Sequence, residues 1–209
     1  MTDVCRARTI AGATFTLGAE AVAGAAPTRP GTSVSEFAID THEVTVARFR
    51  RYWANGHSGI GGRRVLYPAG ELPIVGDVHP PTPGNRNPQC TWSVTAGSRE
   101  FYPLNCVDWV TAQSFCVWDG GRLPTEAEWE LAARGATGRR FPWGTEDRVG
   151  AACVSEGGAS RSGACSVDVG SFMIGASPEG VWHLLGNVAE FTADAYEPYA
   201  DARCWGGTA

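Results

Sequence analysis

GGRLPTEAEWELAARG, Gly120–Gly135, decides how the rest of the chain is read. Thr125 and Glu128 stand in the order of a capping box, where the hydroxyl accepts the Glu128 amide and the carboxylate accepts the Thr125 amide. Pro124 lies just ahead of the cap, where it breaks no helical hydrogen bond. Trp129, Leu131 and Ala132 share one side of the predicted helix, and Gly135 is its stop. Glu126, Glu128 and Glu130 sit near the positive end of the helix dipole and Arg134 near the negative end. The local pattern alone leaves open that this is merely a well-capped surface helix. The three carboxylates read as helix-end charges rather than a glycosidase pair.

Just upstream, Asp108 is a cap for a second helix with Trp109, Ala112, Phe115 and Cys116 on its buried side. Trp118-Asp119-Gly120-Gly121 turns that helix into the next, so the two form a pair with a short connection. Further back, Ala13–Leu17 alternates as a strand does, and Ser35–Glu43 reads as a second strand with Phe37 and Ile39 on one face. Between them, Gly18–Ser33 is rich in Ala, Gly and Pro and reads as a loop. Thr45 caps a helix through Phe49, Tyr52 and Trp53 that stops near Gly56. His42 beside Glu43 is either a site pair or an exposed histidine at a strand–helix junction. Pro80, Pro81, Pro83 and Pro88 forbid long regular elements in Gly59–Ser98, which reads as a surface loop.

Composition narrows the function classes. The 209 residues suit one domain with a proper core. A net charge of -5 with 17 basic residues argues against a nucleic-acid surface, which needs clustered Lys and Arg. Glycine (27) and proline (13) exceed average usage, so the chain should be loop-heavy. No apolar run reaches the roughly 20 residues of a membrane span. No GxSxG turn, GxGxxG turn or phosphate-binding P-loop is present.

The seven cysteines (Cys5, Cys90, Cys106, Cys116, Cys153, Cys165 and Cys204) include no zinc-type pair two residues apart. Spread through a loop-rich chain, they suggest disulfides and an extracytoplasmic or secreted location, the alternative being buried free thiols in the cytoplasm. The expected pairs are Cys153–Cys165, closing a Gly/Ser loop within Gly150–Gly170, and Cys90–Cys106. Met1–Ile10 lacks the apolar core of a secretion signal, so an exported protein would have lost its signal or carry it outside this sequence.

Several blocks resemble one family. GRLPTEAEWE is similar to the signature of the sulfatase-modifying-factor family, whose best-known member is the formylglycine-generating enzyme. FYPLNCVDWVTAQSFCVW, Phe101–Trp118, resembles the segment that leads into the signature, and GVWHLLGNVAEFTAD, Gly180–Asp194, resembles the family's GNVWEWTSD block. IAGATFTLG, Ile10–Gly18, and FAIDTHEVTVARF, Phe37–Phe49, fit its first strand and helix; Phe141–Gly144 resembles its PWG turn, and Val167–Phe172 the short strand before the last block.

The resemblance implies a C-type-lectin-like α+β fold. It would be loop-rich, with two to three main helices and short antiparallel strands, in one domain over residues 1–209 that lacks its last strands. It implies calcium held by the backbone carbonyls of Gly186 and Val188 and the side chain of Glu190, since a hard cation wants oxygen. His183 departs from the family's Asp or Asn ligand, and imidazole suits calcium poorly. Asn187 would orient the turn, and the alternative to calcium is a turn held by Asn187 and Glu190 hydrogen bonds to backbone. The family's second calcium site uses an Asn near Ala152, missing here.

The family's oxidase centre is a copper(I)-binding cysteine pair late in the sequence. This chain reaches Ala209 without it, so copper would need cysteines beyond that point, and no catalytic residue is named. The family partner of Cys116 would likewise lie beyond the end. Two functions remain open. One is a formylglycine-generating-type oxidase domain, or a close relative, acting on a cysteine of a protein or peptide substrate and inactive without its cysteine segment. The other is a non-catalytic extracytoplasmic module that binds a ligand or protein. The oligomeric state is open in both.

Overall fold

The computed structural model describes residues 7–18, 28–56, 63–67, 70–81, 90–154, 168–171 and 174–195. Strands β1 (Ala7–Ile10), β2 (Ala13–Leu17), β3 (Arg29–Val34) and β4 (Phe37–Asp40) make two antiparallel ladders, β1 with β4 and β2 with β3. Helix α1 (Val46–Ala54) follows. Strands β5 (Arg64–Tyr67) and β6 (Gly70–Pro73) then pair as an antiparallel hairpin, before helices α2 (Trp109–Trp118) and α3 (Glu126–Arg134). The α+β, loop-rich architecture agrees with the sequence reading.

Each helix begins where its cap chemistry dictates. The Thr45, Asp108 and Thr125 side chains accept the amides of Arg48, Thr111 and Glu128. At α3 both halves of the capping box form, and Gly135 takes a left-handed φ of 63° at its end. Glu128 is buried and also chelates Arg122 through two bonds of 2.7 and 2.6 Å. Burial alone would raise the Glu128 pKa, but Arg122 and the Thr125 amide outweigh it and hold the carboxyl below its ordinary range.

Two apolar clusters result. In the first, Phe49 and Tyr52 of α1 meet Phe115 of α2 and Tyr67 of β5, with Trp53 and Trp92 packed alongside. Fully burying each such ring stabilises the fold by roughly 1.5–3 kcal/mol. In the second, Leu131, Ala132 and Ala133 of α3 pack on Phe15 and Leu17 of β2 and on Val181 and Leu184. Gln113 is buried where α2 faces the hairpin. Its Oε1 accepts from the Tyr67 hydroxyl at 2.8 Å and from the Leu123 amide at 3.2 Å, joining β5 to the approach to α3. Arg48 bridges Asp40 of β4 and Asp119 at the end of α2; despite its burial, the two carboxylates raise its pKa.

Several local expectations are corrected. Gly18–Ser33 is not all loop, because Arg29–Val34 is strand β3, its Gly31 at a φ of 73°. Gly59–Ser98 contains the β5–β6 hairpin: Pro73 closes β6, and Pro80, Pro81, Pro83 and Pro88 come after it. Strand β4 covers only Phe37–Asp40 of the expected Ser35–Glu43. The most buried side of α2 carries Thr111, Gln113 and Ser114 with Phe115, whereas Trp109, Ala112 and Cys116 are half-buried. Within Val167–Phe172, the described residues 168–171 form a turn, with the Ser171 amide on the Asp168 carbonyl; Val167 and Phe172 lie outside the described residues.

Cys90 and Cys106 form the expected disulfide. A loop of this size contributes about 3 kcal/mol in the chain-entropy account. Cys153 is disulfide-bonded and Cys116 is a free thiol. Cys5, Cys165 and Cys204 lie outside the described residues, and with them the proposed Cys153–Cys165 pairing.

Candidate functional site

Two of the blocks singled out in the sequence line one cleft, and the third is tied to it through Trp109. The Ala193 amide donates to the Pro124 carbonyl at 2.8 Å, and the Trp109 indole donates to the Thr192 carbonyl at 2.8 Å. At the start of α3, the Glu126 amide donates to Asp194 Oδ2 at 2.6 Å. These bonds lay the last block across the tops of α2 and α3. They leave a cleft of about 400 Å³ lined by Glu126, Trp129, Gly186, Val188, Glu190 and Asp194, among others.

The turn on the cleft wall has an unusual backbone. His183, Gly186 and Asn187 all have left-handed φ values, of 57°, 85° and 61°. A non-glycine residue there costs about 1–2 kcal/mol. A Cβ on Gly186 would lie 2.3 Å from the Cys153 carbonyl oxygen, so only glycine fits. The same carbonyl accepts the Asn187 amide at 2.9 Å.

Glu43, from the β4–α1 connection, holds the other side of the turn. Its Oε2 lies 2.8 Å from His183 Nδ1, and its Oε1 accepts from Asn187 Nδ2 at 2.8 Å. His183 Nε2 lies 2.9 Å from the Ser171 carbonyl oxygen. Both ring nitrogens lie within hydrogen-bond distance of an acceptor oxygen, an arrangement that a doubly protonated ring satisfies. Burial works against that charge, but Glu43 and the Ser171 carbonyl outweigh it and raise the His183 pKa above 6.5. The pKa of neighbouring His42, stacked on Trp182, is lowered by burial and then by the His183 charge.

Glu190 Oε2 accepts the Trp129 indole N–H. Its pKa is pushed up to about 7, first by withdrawal from water and then by Glu43. The residue keeps an exposed flank, and screening there tempers the rise.

Gly186, Val188 and Glu190 thus line one cleft, as calcium binding would need. Glu190 Oε1 has no protein partner among the described residues. His183 has none of its nitrogens to spare, so its departure from the family ligand leaves an all-oxygen donor set. Such a set fits a hard cation. No three His, Cys, Asp or Glu side chains converge as a metal cluster among the described residues, so backbone carbonyls would supply much of the coordination. The hydrogen-bonded alternative differs from expectation in its partners: Asn187 and Glu190 bond to the Glu43 and Trp129 side chains rather than to backbone.

The described thiols do not fit copper(I). Cys90, Cys106 and Cys153 are in disulfides. Burial pushes the Cys116 pKa up to about 12, which keeps it a thiol rather than a soft thiolate ligand.

Glu43 is the site residue the sequence reading undervalued. It was weighed only against adjacent His42, whereas its partners lie 140 and 144 residues away. The available signal was a charged residue two positions before a helix cap with no opposite charge at helical spacing.

Comparison with known proteins gives the family. The chain is 30% identical over 199 residues to the formylglycine-generating enzyme of Mycobacterium tuberculosis, covering 80% of this chain and 66% of that protein. It is 36% identical over 102 residues to the mouse inactive C-alpha-formylglycine-generating enzyme 2, covering 46% of this chain and 33% of that one. It therefore spans a third to just under two thirds of the length of these relatives. The crystal structure of CarF superposes with a TM-score of 0.53 at 19% identity, covering 92% of this chain and 82% of that one, a likeness of fold. The family described as sulfatase-modifying factor enzyme 1-like domain matches residues 4–208, and the chain belongs to that family.

Proposed function

We propose that this chain is a formylglycine-generating-type domain that offers the cleft beside Trp129 to a protein or peptide cysteine, with calcium bracing the cleft wall. The observation that carries the reading is that two family blocks line that cleft and the third is bonded to it through Trp109. The 30% identity to a formylglycine-generating enzyme supports the reaction class. Calcium, when bound, supplies positive charge and rigid coordination. The chain's own residues do the rest: Gly186 and Val188 present carbonyls, Glu190 presents a carboxylate, and Trp129 fixes that carboxylate through its indole N–H. No redox step is derived from the described residues, because they hold no thiolate pair. The disulfides favour an oxidising, extracytoplasmic location. Among the described residues, no helix is long and apolar enough to cross a membrane.

A second reading, a non-catalytic binding module, is favoured by the half-buried position of the one free thiol described, whose pKa is pushed up to about 12. One experiment separates the two. The full-length protein, with any residues that follow Ala209, is incubated with a sulfatase-motif cysteine peptide, copper and oxygen, and the peptide mass is followed. Conversion of thiol to aldehyde supports the oxidase; peptide binding without conversion supports the module. Neither binding nor conversion overturns both.

A further inference from the structure

We infer that Glu43 is a positioning residue that shapes the cation-binding wall of the cleft from outside it. The inference rests on the calcium reading above but concerns a residue that touches neither the cleft nor the cation. Three of the five residues from His183 to Asn187 hold left-handed backbone, and two of them are not glycine. Such a turn persists only where its surroundings over-determine it.

The fixings come from two sides. The Cys153 carbonyl takes the Asn187 amide and abuts the Gly186 Cα. Opposite it, one buried carboxylate reaches both ends of the turn, His183 at 2.8 Å and Asn187 at 2.8 Å. Glu43 is itself placed by packed neighbours. Thr41, two residues before it, accepts the Trp182 amide through its carbonyl at 2.9 Å, and the Val44 carbonyl accepts the Leu104 amide at 2.7 Å. The direction of the Gly186 and Val188 carbonyls is therefore set by a residue on the far side of the wall. A ligand held by backbone geometry alone is sensitive to such support, and loss of an outer partner typically lowers metal affinity about 10–100-fold.

The test uses calcium calorimetry, with terbium emission sensitised through Trp129 as a spectroscopic readout. Two variants divide the work. Glu43→Gln removes the charge that holds both ends. Asn187→Gly deletes one of the bonds, changes no charge and keeps the left-handed backbone accessible. The expected result is calcium affinity lower by about 10-fold or more in Glu43→Gln and by a smaller factor in Asn187→Gly. Sensitised emission falls in parallel, while the calcium-free melting temperature of Asn187→Gly stays within a few degrees of wild type. Wild type that binds calcium while both variants bind it equally well overturns the Glu43 assignment alone. Wild type with neither calcium heat nor terbium emission overturns the cation reading, and the Glu43 assignment with it.

Discussion

Around Phe49 the molecule is held by rings; around Gly186 it is held by hydrogen bonds. Phe49 stacks edge-on against Tyr52 at 5.4 Å and Trp92 at 5.2 Å, and lies 5.8 Å from Phe115. In the 183–190 turn only Leu184 joins an apolar cluster. The rest relies on one carboxylate, the Cys153 and Ser171 carbonyls and a glycine with no room for a methyl group. Dispersion between rings is summed over many weak contacts and is lost by degrees. Directional bonds on a left-handed backbone are lost together. The aromatic region should therefore respond to volume, and the turn to geometry.

The largest effect expected is in the aromatic region. Phe49→Ala should destabilise the protein by about 4 kcal/mol, and Phe49→Leu by clearly less, because the cost follows the cavity left behind. Urea denaturation checks this. Equal losses for the two variants would mean that ring geometry, not volume, holds the cluster.

The second break is the reverse operation. Gly186→Ala adds one carbon where Phe49→Ala removes six, yet should cost about 3 kcal/mol through backbone strain and collision with the Cys153 carbonyl. Its calcium-dependent rise in melting temperature should vanish, whereas Phe49→Leu should keep it. A Gly186→Ala protein with wild-type stability would remove the contrast between the two regions.

The third substitution sits between them. Glu128→Ala loses the capping box and both Arg122 bonds, and should cost about 2 kcal/mol. The Glu128 pKa is held low, so this stability is present above the ordinary carboxylate range and is lost as pH falls through the folded value. Glu128→Ala should therefore show a shallower acid limb than wild type in melting temperature against pH.

The same contrast explains what was legible in the sequence. Helices α1, α2 and α3 were readable because Thr45, Asp108 and Thr125 act within three residues of themselves. Cys90–Cys106 was readable because its partners lie in one short loop. Strand β3 was missed because RPGTSV has weak strand propensity and is held by its pairing with β2. The polar side of α2 was missed for a similar reason: Gln113 is buried to serve Tyr67 and Leu123, partners that helical periodicity does not reveal. The turn on the cleft wall was visible as a motif. Its support was not, since Glu43, Cys153 and Ser171 meet it only through tertiary folding.

The smallest effect expected, and the finest probe of the turn, is its pH response. His183 sits between Glu43 and the Ser171 carbonyl with its pKa raised. A group raised in the folded state binds protons that the unfolded chain releases. Its stability contribution is therefore full below about 6.5, the unfolded histidine value, and fades as pH climbs through the folded pKa. Glu190, pushed up to about 7, acts in the same direction, from its ordinary carboxylate range upward. His42 opposes both: its pKa is lowered, so its contribution is present at higher pH and lost on acidification. In a His42→Gln background, melting temperature should decline more steeply as pH rises from about 6 to 8. Adding His183→Asn, which tolerates the left-handed backbone, should flatten that decline. The aromatic cluster has no group titrating in this range, since burial pushes Tyr52 and Tyr67 up to about 12. Phe49→Leu should therefore shift the whole curve down without changing its slope. A slope change in Phe49→Leu, or an unchanged slope in His183→Asn, would show that the two regions do not melt by separate rules.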